Sequence, residues 1–222
     1  GRQDQGGQKK GAHEGADASV RTPGRESPYA GTSAILGRMP VRPAAARDGF
    51  PGRIVCLTEE TVETLYRLGA GDLVVGVSAY TLRPPEAKRK PRVSAFISAN
   101  YDKILALEPD LVLAFSDLQA DISRELVKRG VAVFTFNQRS LAGILSMIQV
   151  LGGIVGYGEE AARLGQEMQA GLDRAHQESA RLPRRPRVYF EEWDDPMISG
   201  IRWVSELIGI AGGEDLFPEY RS

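Results

Sequence analysis

The chain has 222 residues, 42% of them hydrophobic and 26% charged, with a formal net charge of −1. So even a balance argues against a nucleic-acid binder, which carries a strong basic bias. No apolar run reaches the roughly 18–20 residues of a membrane helix. The one cysteine, Cys56, excludes an intramolecular disulfide and leaves the redox compartment open. Within the apolar run Ile54-Val55-Cys56-Leu57 it reads as a buried, inert thiol.

Residues 1–52 are rich in Gly, Ala, Arg and Pro and carry neither helical nor strand periodicity. Such a segment cannot bury enough apolar surface to offset the ordering of its backbone, so a disordered leader is expected there. It lacks the positive-then-apolar layout of a secretory signal. Because the chain begins with Gly1, a signal further upstream stays open.

Order is expected from Arg53. Residues 54–57 form a strand, and Thr58 is placed to cap a helix whose first turn holds Glu59 and Glu60, acids suited to its positive end. Val62, Leu65, Tyr66 and Leu68 make its apolar stripe. A second strand over 73–78 ends near Tyr80, giving a compact βαβ unit. The Pro-rich, basic stretch 81–92 reads as a solvated loop in preference to a phosphate site, since no glycine cradle accompanies its charge. The next unit has four parts: a loop bearing Phe96, a short helix over 100–107, a turn at Pro109-Asp110 and a strand over 111–115. That strand is apolar throughout, as expected of one buried on both faces of a parallel sheet. Phe115, Ser116 and Asp117 stand at its carboxyl end, where open α/β sheets bind ligands. A helix around Ile122 and Leu126 and a strand over 131–136 complete a mostly parallel α/β lobe, 53–139.

Ser140 can cap a helix carrying Leu141, Ile144, Leu145, Ile148 and Leu151. A long helix over 159–181, about 35 Å at ~1.5 Å per residue, can tie two lobes together; 140–182 is thus a helical connection. A strand over 188–191 and a helix including Trp203, Leu207 and Ile210 open a second lobe, 183–222. One strand and one helix cannot close a core, so this lobe reads as incomplete.

Chemistry is sparse. Residues 156–161 (GYGEEA) match a G-x-G-x-x-A dinucleotide fingerprint, which requires a strand directly before it. The preceding residues keep helical spacing, so the glycines read as a break between helices, and a nucleotide-dependent enzyme built on the Gly156–Gly158 turn is the alternative. Glu191, Glu192, Asp194 and Asp195 flank Trp193. They could hold a hard cation or act as an acid/base pair, but neighbours on a strand point to opposite faces, and a ligand- or partner-facing role is preferred. With only His13 and His176 in the chain, no histidine-built metal site is expected, and no hydrolase or P-loop signature occurs. Aromatics at strand ends (Tyr80, Phe96, Phe115) are the more persuasive feature.

Four stretches carry a resemblance: RIVCLTEETVETLYRLGAGDLVVGVSAY (53–80), RPPEAKRKPRVSAF (83–96), NYDKILALEPDLVLAF (100–115) and the later SG…ELIGIAGGEDLF. With them the chain resembles the substrate-binding proteins of cobalamin and ferric-siderophore ABC importers, the cobalamin branch fitting better. The resemblance implies a non-enzymatic, two-lobed periplasmic-binding-protein fold with parallel sheets joined by one long helix. It implies a shallow cleft that holds a metal chelate, a corrinoid in the first instance and a ferric siderophore or haem in the second. It places ligand contacts at Tyr80, Phe96, Phe115, Glu192 and Trp193, although the family more often has Trp at the second and third of these. It places at Asp102, one methylene shorter than the usual Glu, the acid that docks on a permease arginine. Arg202 is the cationic candidate for a siderophore. No cofactor, resident metal or nucleic acid is implied. A monomer working with ABC importer permease subunits outside the cytoplasm is expected, a cytosolic corrinoid-handling protein being the alternative. The family's remaining cleft residues would lie beyond Ser222.

Overall fold

The computed structural model describes residues 46–218. Its main body is a six-stranded sheet in the order β4-β3-β2-β1-β5-β6. The strands are β1 (Ile54–Cys56), β2 (Val74–Ser78), β3 (Arg92–Ala95), β4 (Ser98–Ala99), β5 (Leu111–Phe115) and β6 (Val133–Phe136). All neighbours run parallel except β4, which returns antiparallel on β3. The connecting helices are α1 (Glu59–Arg67), α2 (Tyr101–Ala106) and α3 (Ala120–Lys128), followed by α4 (Leu141–Val155) and α5 (Gly158–Ser179).

The layering follows from the period-2 alternation of the central strands. Ile54 and Cys56 on β1, with Leu111 and Leu113 on β5, face one core shared with α1, α4 and α5, through Val62, Leu65, Ile148, Leu151 and Leu164. Val55, Leu57, Val112 and Ala114 face the other core, shared with α2 and α3 through Ile104, Ile122 and Leu126. The result is an α/β/α sandwich. Cys56 is fully buried at its centre, and burial pushes its thiol up to about 12, so it stays protonated and inert at neutral pH.

Several expectations change. The disorder expected for 1–45 lies outside the described residues, but 46–52 is ordered: the Arg47 guanidinium stacks 3.9 Å from the Tyr157 ring centroid and pairs with Glu160 at 2.7 Å. Thr58 stands at the N-cap of α1, yet its hydroxyl donates to Glu60 Oε1 (2.7 Å) and caps no backbone amide. The basic loop contains a 3-10 turn, Pro85–Arg89, anchored by fully buried Ala87, and then the β3–β4 hairpin around Phe96, whose strands are too short to show alternation in the sequence. The long helix starts at Gly158 and ends at Ser179. Gly156 ends α4 in the left-handed region (φ 80°), so the G-x-G-x-x-A match follows a helix where a dinucleotide fold needs a strand.

The second lobe begins after α5. The expected strand over 188–191 is two strands in different sheets. One is β7 (Arg187–Val188), which pairs in parallel with β10 (Glu214–Asp215); the other is β8 (Glu191–Asp194), which forms a hairpin with β9 (Met197–Ser199). Helix α6 (Arg202–Ile210) lies between β9 and β10 in sequence. Ser179 Oγ donates to Ile210 O (2.6 Å), fixing this lobe to the end of α5, and Arg185 donates to Gly213 O (2.8 Å) within the lobe.

Candidate functional site

The strand order reverses at β1: the chain leaves it toward β2 and β3 on one side, then returns to β5 and β6 on the other. Such switch points open a crevice at the carboxyl ends of the flanking strands. Glu60 lies just past the end of β1, Phe115 ends β5, and Gln138 follows β6. These three line a cavity of about 290 Å³ together with Phe96 from the β3–β4 hairpin, Ile144 and Met147 from α4, and Glu192, Ile201 and Trp203 from the second lobe. The cavity thus has walls from both lobes.

A buried amide sets the aromatic wall. Gln119 is fully buried; its Oε1 accepts from the Phe115 backbone N–H (2.9 Å), and its Nε2 donates to the Phe96 carbonyl (2.7 Å) and reaches that of Leu57 (3.5 Å). One side chain therefore fixes the backbones that carry both Phe rings. Ser116 turns the chain out of β5 at φ 54° and ψ −179°, a region costly for any residue but glycine. Its N–H bonds Phe136 O (2.7 Å) and its hydroxyl accepts from the Leu118 N–H (3.3 Å), which holds that turn in place.

Glu60 is the polar centre of the floor. Burial raises its carboxyl above the ordinary range, while hydrogen bonds, that of Thr58 foremost, pull it partly back. Gln138, beside it, adds a smaller pull in the same direction, and its own Oε1 is buried with no partner among the described residues.

The two lobes meet beside the cavity. The Trp203 backbone N–H donates to Arg139 O (3.1 Å), and Glu206 Oε2 accepts from the Leu141 N–H (2.7 Å), one of the first-turn amides of α4 that have no partner within the helix. The Arg139 guanidinium lies 5.8 Å from the Phe115 ring centroid and 3.4 Å from Asp117.

Of the residues expected at the site, Phe96, Phe115 and Glu192 are brought together, while Tyr80 and Trp193 do not line this cavity and are 59% and 60% exposed. Trp193 sits at the β8–β9 hairpin, its Nε1 donating to Asp195 O (3.0 Å). Glu191 accepts from Tyr189 Oη (2.5 Å), and Arg202 is engaged by Glu206 (2.8 Å). Asp102 lies on the first turn of α2 with its side chain 96% exposed, 4.0 Å from Arg129. Among the described residues no group of three His, Cys, Asp or Glu could hold a metal. Sequence reasoning missed Glu60, Gln119, Gln138 and Trp203. Glu60 alone left a signal, since it lies in the first turn of the helix that follows a strand end at the switch point.

The family model described as periplasmic binding protein matches residues 54–222. A vitamin B12-binding protein of Yersinia pestis (strain Pestoides F) is 28% identical over 173 residues, which cover 76% of this chain and 61% of that one. The chain thus spans about 61% of that relative's length. Among solved structures, the periplasmic vitamin B12 binding protein of Vibrio cholerae superposes with a TM-score of 0.65 at 26% identity, covering 76% of this chain and 67% of that one. The periplasmic heme-binding protein of Roseiflexus sp. RS-1 does so with 0.67 at 25%, covering 75% and 66%. A switch-point cleft between two α/β lobes, a long helix joining them and a family match over most of the chain lead to one assignment: this chain belongs to the periplasmic binding protein family.

Proposed function

We propose that the protein is the solute-binding component of an ABC importer and that its cargo is a corrinoid. The observation that carries this reading is the cleft cavity, with Phe96 and Phe115 on one lobe and Trp203 on the other. Flat aromatic faces favour a flat macrocycle, and a cavity of about 290 Å³ accommodates one edge of such a ligand while the remainder lies along the open cleft. The 28% identity to a vitamin B12-binding protein supports the corrinoid over other chelates.

A haem cargo is the second reading, favoured by the similarity to a heme-binding protein. Haem-binding sites commonly supply the iron with an axial His, Tyr, Cys or Met. Of these, among the described residues, the cavity lining holds only Met147, on its apolar wall. A corrinoid brings its cobalt already held by the ring and its own axial groups, and asks only for shape and hydrogen bonds.

In this reading Tyr80 and Trp193, exposed at the lobe ends, contact the parts of the ligand that extend beyond the cavity. Asp102, exposed at the start of α2, offers its carboxylate to an arginine of the permease. The protein acts outside the cytoplasm as a binder and carries out no reaction.

Titration of the protein with cyanocobalamin, followed by calorimetry and by quenching of tryptophan fluorescence, tests the reading. One-to-one binding is expected, weakened about tenfold or more by Phe115→Ala, which removes a stacking face. Tight binding of hemin with no response to cyanocobalamin would replace the corrinoid by haem.

A further inference from the structure

Among the described residues, the carboxylate and amide side chains that line the cavity are Glu60, Glu192 and Gln138, and the lining contains no Arg, Lys or His. The nearby cations are taken up by other acids, Arg139 by Asp117 and Arg202 by Glu206. Glu60 is held from below by the Thr58 hydroxyl at 2.7 Å, and Gln138 stands beside it with a buried carbonyl oxygen that lacks a partner. The remaining walls are aromatic and aliphatic, so charge in the cavity is poorly screened.

A floor of this kind is asymmetric toward ligands. It offers acceptors for N–H donors, and a bound donor would satisfy the Gln138 carbonyl. A carboxylate in the same place would meet like charge with no compensating cation, which is how binding sites reject wrong partners. We propose that Glu60 is a specificity-determining residue that accepts a hydrogen bond from a carboxamide on the edge of the ligand and rejects ligands with a carboxylate there. This inference rests on the solute-binding reading above and sharpens it: the cargo is a chelate whose inward edge is uncharged and donor-bearing. Corrinoids, with their fringe of carboxamides, meet that description, whereas haem presents propionates at one edge.

The test compares cyanocobalamin with its derivative in which one peripheral carboxamide is hydrolysed to the acid. Both are titrated at neutral pH into the full chain and into E60Q, with circular dichroism confirming that the variant is folded. The native protein should bind the amide at least about tenfold more tightly than the best-bound acid isomer, and E60Q should bring that ratio toward one, chiefly by improving the acid. Equal affinities in the native protein, or a ratio unchanged by E60Q, would overturn the role of Glu60 while leaving the corrinoid cargo standing. If a folded native protein binds neither corrinoid but binds hemin, the corrinoid reading fails. Comparing hemin with its dimethyl ester then decides on Glu60 separately: discrimination in favour of the ester, lost in E60Q, supports its role, and equal binding overturns it.

Discussion

At the scale of single residues, the site depends on side chains that a ligand would not touch. Gln119 is fully buried and spends its amide on the backbone of Phe115, Phe96 and Leu57. A buried amide costs stability unless its partners are in place, and each backbone group it serves would in turn be left unsatisfied without it. Gln119→Leu keeps the volume roughly and removes all three bonds. It should lower stability by about 1–3 kcal/mol per group left unpaired, seen as a reduced urea midpoint. It should also weaken cyanocobalamin binding, because the two rings lose their fixed spacing. In a protein that already carries Phe96→Ala and Phe115→Ala, Gln119→Leu should cost the same stability but no further affinity. An equal affinity loss in both backgrounds would mean that Gln119 acts only by supporting the fold.

At the scale of elements, the α4–α5 pair turns on a close approach. A Cβ at Gly152 would lie 2.3 Å from the Ala161 Cβ and 2.9 Å from the Tyr157 carbonyl, so only glycine lets the two helices meet there. Gly152→Ala therefore either pushes α5 outward or strains α4, at about 1–3 kcal/mol by analogy with overpacked cores. The fall in melting temperature should come without any change in the Cys56 environment at the sheet centre, where native thiol reactivity stays nil. Gly153→Ala makes a control, because nothing lies within 4 Å of its Cβ position. Sequence patterning revealed these helices and the parallel strands, since both carry long periodic or continuous apolar runs. It did not resolve β3–β4 or β8–β9, whose strands of two to four residues are set by pairing across a turn and not by any period of their own. Phe96 and Phe115 were legible for the same reason as the strands: they mark strand ends. Gln119 and Trp203 were not, because Gln119 sits in a 3-10 turn and Trp203 in an amphipathic helix, where polar and aromatic residues ordinarily need no functional explanation.

At the scale of the whole molecule, the cleft exists because two lobes are held in one relation by few but specific contacts. The long helix α5 supplies one connection, through Ser179 to Ile210. A second is the Trp203 backbone N–H on Arg139 O, and a third is the carboxylate of Glu206, which accepts from the Leu141 N–H at the start of α4 and from Arg202 Nε on its own helix. Ser140 Oγ already serves the Gly143 N–H, so Glu206 completes the capping of α4 from the opposite lobe and adds a negative charge at the positive end of that helix. A helix end satisfied across the cleft couples lobe position to helix stability. Glu206→Ala should cost about 1 kcal/mol in stability, in line with the loss of one helix-terminal charge interaction. The change should be local: amide exchange should speed up in the first turn of α4 and along α6, while β1 and β5 keep the protection of the global core. Glu206→Gln, which retains an acceptor for the Leu141 N–H, should recover most of that protection. Cyanocobalamin affinity should fall with Glu206→Ala even though Glu206 does not line the cavity, because Trp203, three residues before it, would be held to the first lobe only by its backbone bond to Arg139. Unchanged exchange in α4 would place the lobe–lobe restraint in α5 and in the Trp203–Arg139 backbone bond.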